Sequence, residues 1–219
     1  KVWFQQYDRG APQCDLHVTG STDRTGTKVT FWPDPQIFSV LEYNFDTLAN
    51  RLRELSFLNA GLRIDLTDER TAKERNFHYD GGIVSFVEFL NHSKTPLHPP
   101  IAVAGKRVFE HSTADGKVES DVEIEIALQY SDTYNESVFS FANNVNTGEG
   151  GTHLTGFRNA LTRTINRYVQ GLNPKDPPTV TGDDTREGLA AVVSVKLSHP
   201  QFEGQTKSKL GNSEVTGLV

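Results

Sequence analysis

GLAAVVSVKLSHPQFEGQTKSKLGN, running from Gly188 to Asn212, is the stretch on which the reading of the fold turns. Its first part, Leu189 to Leu197, is nearly continuous in apolar, β-branched-rich side chains, as expected of a central strand. Pro200 has no N–H to give to a ladder and marks the exit. The chain then opens into a polar, glycine-bracketed loop, Gly204-Gln205-Thr206-Lys207-Ser208-Lys209-Leu210-Gly211. A core strand that delivers a glutamine, a threonine and a lysine to a flexible tip is how a scaffold presents a charge to a ligand. A loop lysine alone is an ordinary solvated lysine, so a ligand role depends on what the neighbouring segments supply.

Upstream of this strand, Gly171 to Asp184 reads as a Pro/Gly/Asp loop. Before it, Leu154, Phe157, Leu161, Ile165, Tyr168 and Val169 make one apolar stripe of a long helix, with Thr152 as its N-cap. Arg163 and Arg167 project from the opposite side, Arg158 flanks the stripe, and no acid lies between His153 and Val169. Asp121–Ser131 places Val122, Ile124, Ile126 and Leu128 inward and Glu123 and Glu125 outward, the pattern of a half-buried antiparallel strand. Strands at about 106–112 and 136–143 flank it, with Asp115-Gly116 as a hairpin turn. A three-proline linker covers 92–100. Ile83, Phe86, Val87 and Leu90 share one face of a short helix that follows Gly81-Gly82.

The N-terminal part reads as strands at Lys1–Tyr7, Leu16–Val18 and Thr27–Trp32, the last alternating with period two. A helix then carries Phe45, Leu48, Leu52 and Leu55, with Asp46 as its cap and Asn59-Ala60-Gly61 as its stop. Arg51, Arg53 and Glu54 are expected on its solvated face. Leu62–Leu66 and Asn76–Tyr79 form a hairpin. The order of elements predicts an α+β protein in two units, 1–81 and 82–219, divided at the Gly81-Gly82 pair.

The 219 residues are 36% hydrophobic and 23% charged, the composition of a folded chain. A net charge of -6 argues against a surface that coats nucleic acid wholesale and leaves room for one local basic patch. Cys14 is the single cysteine, which excludes an intrachain disulfide and suits a reducing, cytoplasmic setting. No apolar run approaches the length of a membrane span. The chain contains no methionine and opens on strand-like residues, from which we expect a fragment whose upstream part is missing.

Most signatures of chemistry are absent: no GxxxxGK[ST], no GxGxxG, no HExxH, no metal spacing among the histidines or around the lone Cys14, and no carboxylate pair that stands out as an acid/base couple. Three features remain. The glycine-rich turn Thr147–Thr152 leads into a helix and suits an anion, or is simply a tight turn with a cap. The helix bearing Arg158, Arg163 and Arg167 suits a phosphate backbone, or is a solvated face. The Gln205-Thr206-Lys207 tip suits a terminal phosphate, where a charge-assisted bond is stronger than a neutral one.

Four strings occur together and in order: RLRELSFLN (Arg51–Asn59), GGTHLTGF (Gly150–Phe157), REGL (Arg186–Leu189) and QTKSKLGN (Gln205–Asn212). On these residues the chain, from about Tyr7 to Val215, resembles the ATPase subunits of bacterial type IIA topoisomerases, the gyrase type first and the topoisomerase IV counterpart second. The resemblance implies that 1–81 is the C-terminal part of a GHKL-type ATP-binding sandwich and 82–219 a transducer domain with a left-handed βαβ crossover, against the usual right-handed preference. It implies ATP and Mg²⁺ as cofactors of the intact ATPase chain. The partners it implies are DNA, the gyrase A protein and a second copy of the ATPase chain, with the isolated chain expected to be monomeric and inactive. Thr27 is the implied nucleotide contact beside the adenine, Gln205 and Lys207 the implied γ-phosphate contacts, and Arg158 the implied lining of a DNA cavity. The family's general base, magnesium-binding asparagine, adenine-reading aspartate and ATP lid match no residue of this chain. A non-catalytic module that binds DNA or a partner through the arginine helix is the alternative. Mismatch-repair and heat-shock ATPases share the idea of a lysine-bearing loop but not the RLRELSFLN and GGTHLTGF strings.

Overall fold

The computed structural model describes residues 1–219 except 114, 115, 173, 174 and 176, and leaves the side chains of 110–118 undescribed. The chain forms two compact units, Lys1–Phe45 and Asp46–Val219. Within the second unit, Phe57 and Leu58, before Gly81-Gly82, share a core with Ile83, Phe86 and Val87 after it.

The first unit contains two short antiparallel pairs, β1 (Val2–Phe4) with β4 (His17–Gly20) and β2 (Tyr7–Asp8) with β3 (Ala11–Pro12). Thr27–Trp32, expected as a strand, joins no described strand pair and is exposed. Alternation describes a strand's two faces, but a strand exists only where a neighbour takes its N–H and C=O groups.

The second unit is a five-stranded mixed sheet with helices on both faces. It begins with α1 (Phe45–Leu58), in which Asp46 sits inside the first turn and complements the helix dipole rather than capping it. The hairpin β5 (Ile64–Asp68) and β6 (Lys73–Phe77) follows, then α2 (Ile83–Leu90). Next come β7 (Ile101–Thr113) and β8 (Gly116–Tyr130), paired antiparallel along their length; the expected Asp115-Gly116 turn falls outside the described residues. The chain continues through β9 (Ser137–Ala142), β10 (Val145–Asn146), α3 (Thr152–Leu172), β11 (Leu189–Leu197) and α4 (Val215–Leu218).

The sheet order is β10-β9-β11-β8-β7, so β11 is central as its composition predicts. It runs antiparallel to β8 and parallel to β9, which makes β9–α3–β11 a crossover connection. Its side chains serve both layers. Leu189, Ala191, Val193, Val195 and Leu197 join Phe157, Leu210 and Val215 on the α3 face. Ala190 and Val192 join Phe57, Phe86, Val87 and Phe141 on the α1/α2 face. This explains a run with no polar alternation: a strand covered on both sides has no solvent face.

The face of α1 expected to be solvated is half-buried. Arg51 donates to Asn144 O at 2.6 Å as well as pairing with Glu54, and the Arg53 guanidinium lies 5.1 Å from the Phe89 ring centroid. Asn144 Nδ2 also donates to Asn59 Oδ1 (3.2 Å), so both ends of RLRELSFLN grip one residue of the β9–β10 turn.

Candidate functional site

Beyond β11 the chain makes a short finger whose base is fixed by two asparagines. Asn143 takes both backbone groups of Leu197, accepting its N–H and donating to its carbonyl, each at 2.8 Å. Asn212, itself buried, accepts from Gln201 N at 2.7 Å and donates to His199 O at 3.3 Å. Two backbone rungs close the finger, Gly211 N to Gln201 O (2.7 Å) and Glu203 N to Lys209 O (2.9 Å), and Lys209 pairs with Glu203 at 3.0 Å. Leu210 is buried in the α3-face core, while Gln205, Thr206 and Lys207 at the tip are exposed.

The tip is turned by Gly204 (φ +82°) and by Lys207 itself (φ +56°), a conformation that costs a non-glycine residue free energy and that the surrounding structure must over-determine. The Lys207 amide donates to Gly204 O at 3.3 Å, and its ammonium lies 6.0 Å from the Phe202 ring centroid. Among the described residues Lys207 has no carboxylate partner. The tip therefore offers one ammonium and one primary amide to solvent, both donors and both unspent.

The glycine-rich turn before α3 is bound to this finger. Glu149 N donates to Ser208 O (3.0 Å), Leu210 N to Gly150 O (3.2 Å) and Thr152 N to Leu210 O (3.0 Å). The amides of Glu149, Gly150 and Thr152 are consumed internally, which removes the anion cradle the turn suggests in sequence. A Cβ on Gly151 would stand 2.5 Å from both Leu210 N and Leu210 O, so only glycine allows this approach. Thr152 is already helical and its Oγ1 is buried without a partner; it does not cap α3.

Beneath the turn lies a buried polar chain that composition and spacing do not single out. Thr147 donates through Oγ1 to Ser140 O at 2.8 Å and sits 3.1 Å from His153 Nε2. His153 is fully buried, its Nδ1 has no partner, and desolvation holds its pKa down at about 4. The available signal is the placement of His153 two residues after Gly151, on the inward face of a helix whose first turn must be buried for Gly151 to touch Leu210.

The remaining candidates lie elsewhere. Arg158 lies about 9 Å along α3 from Thr152 and pairs with Glu136 at 2.6 Å; Glu136 also holds Arg186 at 3.3 Å. Arg163 and Arg167 are exposed on α3. Thr27 is exposed in the first unit, outside its described strands. The structure thus joins Gln205 and Lys207 on one tip and ties that tip to the start of the arginine helix. Among the described residues no group of three His, Cys, Asp or Glu side chains is placed to hold a metal, and no helix is long and apolar enough to cross a membrane.

The family described as DNA gyrase B matches residues 82–219. Over the whole chain the sequence is 52% identical to the DNA gyrase B protein of Clostridium acetobutylicum, of which it spans 33%. It is also 52% identical to the DNA gyrase B protein of Myxococcus xanthus, of which it spans 26%. The fold matches the crystal structure of the 43K ATPase domain of Thermus thermophilus gyrase B in complex with an aminocoumarin, with a TM-score of 0.75 and 38% identity over 99% of this chain and 57% of that one. The chain therefore spans a quarter to a third of the length of these two curated relatives.

Proposed function

The chain belongs to the DNA gyrase B family, and we propose from this premise that it forms the part of an ATPase chain in which nucleotide state is passed to a DNA-handling domain. The full-length protein would be the ATP-hydrolysing half of a type IIA topoisomerase, working in the cytoplasm as a dimer with the gyrase A protein on DNA. Lys207 and Gln205 bind the terminal phosphate of ATP, Thr27 contacts the nucleotide beside the adenine, and Arg158 faces captured DNA. Residues 1–81 belong to the nucleotide-binding domain and 82–219 to the transducer; the family match beginning at residue 82 supports that boundary. ATP supplies the phosphate charge that the tip reads, and no Mg²⁺ ligand is assigned to this chain.

The observation that carries the reading is the unpaired Lys207 on a tip whose base is hydrogen-bonded to the start of α3. A switch needs a contact that differs between two states. An ammonium that meets a phosphate in one state and water in the other supplies that difference, and a charge-assisted bond supports a change of about 1.5–3 kcal/mol. The Ser208, Lys209 and Leu210 backbone passes the position of the tip to α3 and thence to Arg158.

Lys207→Ala in the full-length protein tests this. ATP affinity is expected to fall about tenfold to a hundredfold, read by titration with a non-hydrolysable analogue. Unchanged affinity would remove Lys207 from the site.

A further inference from the structure

We propose that His153 is a positioning residue of the Gln205–Lys207 loop: through Thr147 it holds the 147–152 turn at the one height from which Lys207 can reach its ligand. This rests on the phosphate reading of the loop.

The geometry points inward from the tip along a continuous path. Ser208 O and both backbone groups of Leu210 are bonded to Glu149, Gly150 and Thr152, so the finger can move only as far as the turn moves. The turn has one internal rung, Gly150 N to Thr147 O at 2.7 Å, and Thr147 is in turn fastened to β9 through its own N–H, which donates to Ser140 O at 2.9 Å. Thr147 Oγ1 gives its proton to the same carbonyl, leaving only lone pairs for the imidazole. Ser140 Oγ also lies 2.7 Å from Thr147 Oγ1; with the Thr147 proton directed to Ser140 O, the bond to the ring is made by His153 Nε2–H, and Nδ1 is buried without a partner. This is the one side-chain bond among the described residues that ties the first turn of α3 back to the strand side of the glycine turn. Gly150 and Gly151, at φ +80° and +135°, provide no stiffness of their own. An unsubstituted glycine pair between two anchored elements needs such a tie if the finger is to keep one position.

The conservative and non-conservative variants separate positioning from packing. His153→Gln keeps an N–H at the reach of Nε2; His153→Leu fills the space without it. In the full-length protein, His153→Leu is expected to raise the KM for ATP about fivefold with kcat within about twofold, and His153→Gln to restore it. His153→Leu combined with Lys207→Ala should be no worse than Lys207→Ala alone, since the histidine acts only through the loop. Amide exchange reads the same link without ATP: His153→Leu should speed exchange at Glu149 and Leu210 about fivefold or more and leave Val193 in β11 unchanged. Unaltered exchange at those two amides, or effects of the two substitutions that multiply, would overturn the proposal. If Lys207→Ala itself leaves KM unchanged, the phosphate reading fails and the sensing role of His153 fails with it, while the exchange result still reports whether His153 holds the loop. Should His153→Leu not fold, His153→Met, which fills the space with an adaptable side chain that has no N–H, is read in the same way.

Discussion

Thr27–Trp32 and Val122–Leu128 carry the same alternating pattern and end in opposite conditions. In the sheet unit, Val122, Ile124 and Ile126 are buried in a strand paired on both sides. In the first unit, Val29 and Trp32 are 77% and 83% exposed and the stretch joins no described ladder. The pattern encodes which side chains share a face; whether that face contributes any free energy depends on a neighbouring strand and a covering layer. Two phenylalanines, one in each region, turn this difference into an experiment.

The larger effect belongs to Phe141, which is fully buried between the sheet and α2 and contacts the Phe86 ring at a centroid distance of 6.1 Å. Phe141→Ala removes the transfer free energy of a ring and leaves a cavity, at a cost of about 4 kcal/mol. Thermal unfolding followed by far-UV circular dichroism should show a midpoint lower by roughly 10 °C. Both tryptophans, Trp3 and Trp32, lie in the first unit, so tryptophan fluorescence is the wrong probe for this variant. A change of under about 1 kcal/mol, the range of a surface site, would erase the contrast drawn between the two regions.

A second effect of intermediate size follows from His153. Its folded pKa of about 4 lies below the ordinary value of 6.5, and the cause is burial. The unfolded chain therefore binds a proton between those values that the folded chain refuses. Stability from this group is fully present above pH 6.5 and is lost as pH falls toward 4. Going from pH 7.5 to pH 5 should cost about 2 kcal/mol, measured as the urea midpoint. The aspartates cannot imitate this window. Asp68 is lowered from 3.8 to about 2 by its bonds to Arg70, and Asp65, Asp121 and Asp184 are shifted the same way, so their contributions are lost only at lower pH. His153→Gln should flatten the dependence between pH 7.5 and 5; a slope that survives it would assign the proton elsewhere.

What is legible in the sequence divides along the same line. β11, α1, α2, α3 and the β5–β6 hairpin follow from periodicity, because each carries a long run whose buried face is set by its own neighbours in sequence. The exposed lysine tip also follows, from glycine spacing after a core strand. What stays hidden depends on contacts distant in sequence. Asn143 and Asn144 adopt left-handed φ values of 49° and 63° in a tight turn that adds β10; two asparagines between strand-like runs are the signal for such a turn, although the run reads in sequence as an approach to α3. Gly151 in the GGTHLTGF string reads as a turn residue, whereas its lack of a side chain is required by Leu210, far along the chain. Arg158 reads as a free basic group, yet in the folded chain it pairs with Glu136, which it shares with Arg186. No local pattern encodes such pairings.

The smallest effect closes the comparison. Phe31 is 67% exposed and its one described ring contact is edge-on to Tyr43, with centroids 6.3 Å apart. Replacing it with alanine removes no buried area of consequence and opens no cavity, so the change in stability should stay within about 0.5 kcal/mol, with the edge-on pair setting the upper part of that range. Trp32 is adjacent in sequence, and in a Trp3→Phe background its fluorescence maximum should remain that of a solvated indole with either residue at position 31. A loss comparable to that of Phe141→Ala, or a blue-shifted Trp32 in that background with Phe31 in place, would mean that Thr27–Trp32 is covered in solution. The alternation in that stretch would then mark a strand with a partner, and the difference between the two regions would be one of degree.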